Sequence, residues 1–306
     1  MKTMKTRTFT LKKVALAMMI AAGTMTSVYA AVTGTTDTIQ GAIPVLKSVG
    51  GVKHAVSFTT TGVDPLMPLT GDSVTMTYKY SDTDGDDDNS TSTVQWFYVP
   101  ANGTGTPVAI TPTNAKAPVG SANGGGTGEG TSVITIPDGA VGAIIKAVIT
   151  EQSSTGDLNT GYTITYGNIA KTGEVAPGPD GGTDTGGGGE TAIPDVPVGP
   201  GTGLIPEIRL AGGGPNLIGG TTKLKVGSTY EFKLFASDGT TDLTDTVNFK
   251  WGLRHTSATT TTPAPAGYFN DNATYTPPVN ADAFALTGTL DGVQGYKVVV
   301  DYTPKP

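Results

Sequence analysis

Alternation of apolar and polar side chains is the clearest signal in this chain. In MTYKY, Met76, Tyr78 and Tyr80 fall on one face and Thr75, Thr77 and Lys79 on the other, as a half-buried antiparallel strand requires. Short runs of the same kind, punctuated by Gly, Asp, Asn or Pro, predict strands near 54–60, 73–80, 92–98, 107–111, 131–136, 142–150 and 161–167. No sustained 3.6-residue apolar period follows the first thirty residues, so the pattern predicts an all-β protein.

The pattern also repeats. GDSVTMTYKYSD (71–82) leads through an acidic turn to STVQWFY (92–98), and GSTYEFKLFASD (227–238) leads through GTTDLTD to TVNFKWGL (246–253). The opening Gly and the Trp are 25 residues apart in one copy and 24 in the other. Farther on, ITIPDGAVGAIIKAVIT (134–150) matches TGTLDGVQGYKVVVDYT (287–303) without a gap. Such landmarks mark a tandem repeat of one domain.

Seven short strands with a Trp on the third fit an immunoglobulin-like β-sandwich, and the Trp reads as its core anchor. Residues 172–203 hold few bulky apolar side chains and many Gly, Pro and Asp, which reads as a semi-flexible linker. The predicted organisation is a leader at 1–30, a first immunoglobulin-like domain at 31–171, the linker at 172–203 and a second such domain at 204–306. By the repeat, the second sandwich lacks its last strand, and its edge is open to a partner, filled by 204–226, or blocked by Thr303, Pro304 and Pro306.

The first thirty residues place Lys2, Lys5, Arg7, Lys12 and Lys13 before a short apolar run from Val14 and a Val28-Tyr29-Ala30 ending, the order of a cleaved secretory signal peptide. No later stretch has the roughly 20 apolar residues of a membrane helix. Without the leader, fourteen basic residues face twenty-six acidic ones, changing the formal charge from -7 to -12. This acidity argues against nucleic-acid and peripheral-membrane binding, as the lack of a long apolar stretch argues against membrane insertion, and points to protein, glycan or divalent-cation partners. With no cysteine, exported domains of this kind must rely on buried cores rather than disulfides.

The acidic stretch Ser81 to Trp96 carries five aspartates within seven positions. Asp82, Asp84, Asp86 and Asp88 have the alternate spacing of a calcium loop, although Gly85 falls fourth where an EF-hand places glycine sixth. Three readings stand: an acidic hairpin turn, a calcium site with these four ligands, and a partner-facing tip. The second copy has Ser237-Asp238-Gly239-Thr240-Thr241-Asp242 in its place, so the fold itself needs no metal there.

Catalytic chemistry finds little support. Neither histidine, His54 or His255, sits in a nucleophile elbow or an HExxH helix, and both read as surface or strand-end residues. GSANGGGTGEG (120–130) lacks the Lys and Ser/Thr of a phosphate loop. TSATTTTPAPAG (256–267) reads as an exposed low-complexity loop. No catalytic residue is assigned, and calcium is the one cofactor the pattern admits.

The run GDSVTMTYKYSDTDGDDDNSTSTVQW resembles a motif of bacterial surface immunoglobulin-like repeats: Gly-Asp, a Tyr-bearing strand, an acidic Asp-Gly turn and a Trp strand. With the leader, the lack of cysteine and the Gly/Pro stretch, the chain resembles SinI and ZirS-like proteins associated with intimin-like inverse autotransporters. The resemblance implies a non-enzymatic exported protein of a Gram-negative bacterium, working at the cell surface or outside with an outer-membrane β-barrel autotransporter or a host protein or glycan, in adhesion or virulence. On this reading Tyr268, Phe269, Val298, Val300 and Tyr302 are the side chains a partner meets. The alternative is a calcium-dependent carbohydrate-binding module.

Overall fold

The computed structural model describes residues 33–62, 64–100, 105–119, 128–179 and 190–305. The expected leader, most of the Gly-rich 120–130 loop and the middle of the expected linker lie outside these residues. The described chain is predominantly β. Its strands are β1 (Val45–Lys47), β2 (Ser57–Thr60), β3 (Ser73–Ser81), β4 (Gln95–Pro100), β5 (Val108–Ile110), β6 (Thr113–Ala115), β7 (Glu129–Thr135), β8 (Ala143–Gln152) and β9 (Thr160–Tyr166), followed by β10 (Glu174–Val175), β11 (Glu190–Thr191), β12 (Ile205–Leu210), β13 (Tyr230–Phe235), β14 (Val247–Arg254), β15 (Tyr268–Phe269) and β16 (Lys297–Pro304).

The first unit has two sheets. One runs β11-β2-β3-β7-β6 with β1 also on β3, and the other runs β10-β9-β8-β4-β5. Their apolar faces meet in one cluster: Phe58, Val74, Met76, Tyr78 and Ile134 come from the first sheet, and Trp96, Ile145, Ile149, Ile164 and Tyr166 from the second. The alternation of β3 is realised residue by residue, with Val74, Met76, Tyr78 and Tyr80 buried and their neighbours half-exposed. Trp96 is fully enclosed, edge-on to Phe58, and its indole N–H donates to Ser132 Oγ at 2.9 Å. Gly130 pairs across from Tyr78 because a β-carbon there would strike the Tyr78 ring.

The expected linker is not a free tether at its described ends. Glu174–Val175 extends one sheet beside β9, and Glu190–Thr191 runs parallel to β2. Ile193 and Val198 then enter the first core. A few apolar side chains at the right places, with backbone pairing, anchor a stretch whose composition alone suggests freedom.

The second unit contains a two-stranded sheet, β12-β13, and a three-stranded sheet, β15-β14-β16. The sequence repeat is carried into its register. Trp96 pairs with Ala147 and Trp251 with Val300, and both partners lie nine residues after the Asp of the DG turn. Where the first unit places β7 before that turn, the second has a helix, Asn280–Thr287, closed by Gly288 at φ 66°. Pro277 and Pro278 before it, an alanine-rich interior and a glycine in the left-handed region are its sequence signals. Among the described residues no helix is long and apolar enough to cross a membrane.

The two units touch through the turns of the first. Asp138 Oδ2 accepts the Ser237 N–H at 2.7 Å and the Ser237 hydroxyl at 2.6 Å. Val141 packs into the second core, and a β-carbon at Gly142 would strike the Lys305 and Thr246 carbonyl oxygens.

Candidate functional site

The acidic turn divides its aspartates between two jobs. Asp88 is buried and fully used by the fold, accepting from Tyr78 Oη at 2.6 Å, Ser90 N at 2.8 Å and Ala117 N at 2.9 Å. Burial, then the Asp88 charge, holds the Tyr78 hydroxyl well above the usual phenol range. Asp88 is therefore a structural residue that holds the Ser90 N–H at the start of the Ser90–Thr93 turn, and the fourfold ligand set expected from spacing loses it. The repeat carries a signal for this role: Asp242 Oδ1 accepts from Thr244 N at 2.9 Å, two residues on, just as Asp88 does from Ser90 N.

The structure brings Asp82, Asp84 and Asp86 together. One potential ligand oxygen from each lies within 4.8 Å of the others. Asp82 is 1% exposed. Its Oδ1 accepts from Asp84 N at 3.0 Å and Gly85 N at 3.2 Å, while its Oδ2 is buried with no hydrogen-bond partner. Burial, then the facing Asp84 carboxylate, pushes Asp82 up to about 6. Asp84 is held below the ordinary carboxylate value by its contact with Asp82 and by the Ala42 N–H, which donates to Asp84 Oδ2 at 2.8 Å. Asp86 accepts from Thr155 Oγ1.

Glycines on two other segments give these carboxylates room. A β-carbon at Gly41 would strike the Asp84 carboxylate, and one at Gly156, with φ +90°, would strike that of Asp86. The cluster thus joins the acidic turn, the chain before β1 and the loop between β8 and β9.

The second unit solves the same turn differently. Asp238 Oδ1 accepts from Thr240 N and Thr241 N, both at 2.8 Å, which matches Asp82 donor for donor. Its Oδ2, however, receives the Thr241 hydroxyl at 2.6 Å, and these bonds hold the exposed Asp238 down at about 2.

The histidines also differ from expectation. His54 is 4% exposed, with φ +51°, and its Nδ1 lies 2.9 Å from Oε1 of the fully buried Glu151. Glu151 also accepts from Leu46 N at 2.8 Å and Tyr162 N at 3.1 Å. It ties three strand segments together, a role masked in sequence by the 97 residues between the pair. His255 is an exposed strand-end residue.

Of the side chains expected to meet a partner, four pack at least partly against the second core, and that of Tyr268 lies outside the described ones. Phe269 packs on Tyr275, with ring centroids 5.2 Å apart, and Val298, Val300 and Tyr302 lie half-buried against the second core. What is open is their setting. β16 occupies one edge of its sheet, and residues 204–226 supply β12 to the other sheet instead of filling that edge. A cleft of about 560 Å³ has Ile208, Leu217, Leu224, Leu253, Val293 and Val298 in its lining. The 256–267 loop is pinned at its tip, where Asp291 accepts from Thr259 N at 2.8 Å and Thr259 Oγ1 at 2.6 Å. Searches of family models and of curated proteins return no match to this chain.

Proposed function

We propose that the chain is an exported, non-enzymatic interaction protein of two immunoglobulin-like units that works at the cell surface with an intimin-type outer-membrane β-barrel. The carrying observation is the open edge of the second unit. There β16 has a paired strand on one side only among the described residues, beside a 560 Å³ cleft. In the first unit the matching strand, β8, lies between β4 and β9.

An unpaired strand edge offers backbone donors and acceptors to an extended segment of another chain. Half-exposed Phe284 and Leu286 and the more exposed Leu290 add apolar surface to the same unit. The carbohydrate-binding alternative, which needs exposed aromatic rings, is weaker, because Phe269 packs on Tyr275.

The test places a photoactivatable residue at Asp301, exposed on β16, and for comparison at Thr113, exposed on β6. In intact Gram-negative cells making both proteins, position 301 is expected to cross-link to a heat-modifiable outer-membrane β-barrel and position 113 is not. Equal labelling from both sites, or none from 301, would remove the edge from the account.

A further inference from the structure

Among the described residues, two buried side-chain polar atoms of the first unit have no hydrogen-bond partner, Tyr80 Oη and Asp82 Oδ2, and only the second is an acceptor that carries charge. The Asp82 carboxylate is buried and one oxygen is unpartnered, an arrangement that proteins avoid unless a cation or donor completes it. The group it faces, the Asp84 carboxylate, is an acceptor of like charge, and Asp86 lies within the same 4.8 Å cluster. Among the described residues no basic side chain is ion-paired with any of the three.

We infer that Asp82, Asp84 and Asp86 bind one calcium ion. The donors are all oxygens, which selects a hard cation. They sit on an irregular loop, which suits the variable coordination of calcium, with roughly six to eight oxygens, better than the strict octahedron of magnesium. The second unit serves as an internal control: where Asp82 Oδ2 is bare, Asp238 Oδ2 has the Thr241 hydroxyl.

The ion would fasten three segments, since Asp84 already holds Ala42 and Asp86 already holds Thr155. It is thus a clamp between the chain before β1 and the β8–β9 loop. This inference rests on the first unit alone and stands whether or not β16 captures a partner.

Calcium titration of the chelator-treated full chain by calorimetry, paired with thermal unfolding, tests it. One equivalent is expected to bind in the range typical of extracellular modules, about 0.1–1 mM, with a rise in the unfolding midpoint. Asp84→Asn, at an exposed position, is expected to weaken binding at least about tenfold without lowering the metal-free midpoint. Asp82→Asn is expected to raise the metal-free midpoint and abolish the calcium response, whereas a purely structural aspartate would lower that midpoint. Three results would overturn the site: no saturable heat, as when Asp82 and Asp84 share a proton instead; equal responses to magnesium and calcium; or wild-type affinity in Asp84→Asn.

Discussion

The turns after β3 and after β13 are two versions of one device. Both begin Ser-Asp, both aspartates accept the N–H groups two and three residues on, and both turns end in a second aspartate that accepts the first N–H of a short helical turn before the Trp strand. They part at one atom. Asp238 Oδ2 is satisfied by a threonine hydroxyl in solvent, while Asp82 Oδ2 is buried against other carboxylates. The same backbone turn thus stands complete by itself in one unit and is left one cation short in the other.

The strongest way to separate the units acts on Glu151, whose position in the second copy is taken by Pro304. Glu151→Ala leaves the Leu46 and Tyr162 amides and His54 without their carboxylate. It is expected to cost about 3–5 kcal/mol, seen as early unfolding of the Trp96 unit in a W251F background, with the Trp251 unit unmoved in a W96F background.

Next comes the pair Asp88 and Asp242. Asp88→Ala strands the buried Tyr78 hydroxyl and two amides and should cost about 3 kcal/mol, against about 1 kcal/mol for Asp242→Ala at its half-exposed counterpart. Equal losses in urea unfolding would break the comparison. Asp138→Ala removes the bonds to Ser237 that join the units. It should cost roughly 1 kcal/mol and appear as a broader distribution of interunit distances in spin-label measurements.

The smallest effect concerns pH. Asp238 lies at about 2, below its ordinary 3.8. Its contribution is therefore present above pH 3.8 and lost as pH falls toward 2. A carboxyl titration by NMR should show this low midpoint, moving toward 3.8 in Thr241→Val.

Much of the architecture is written in local pattern. The alternation through Met76, Tyr78 and Tyr80 specifies a strand and its buried face, and the gapless match of 134–150 to 287–303 anticipates that Ala147 and Val300 occupy the same place beside their tryptophans. Asn280–Thr287 escapes because the repeat predicts a strand before the DG turn, and that pattern outweighs the local signals of Pro277, Pro278, the alanines and Gly288. β11 escapes because two residues pairing through backbone leave little trace in composition. At the acidic turn, spacing groups four aspartates as equals; burial sorts them, and burial depends on partners such as Ala117 and Thr155, which lie far away in sequence.

The central claim is that one unit needs a cation where its repeat does not. The direct test is thermal unfolding of the full chain in 2 mM calcium and in chelator, with the two units followed separately through Trp96 and Trp251 in single-tryptophan variants. The account predicts a calcium-dependent rise confined to the Trp96 unit. An unchanged midpoint, or an equal rise in both units, would contradict it.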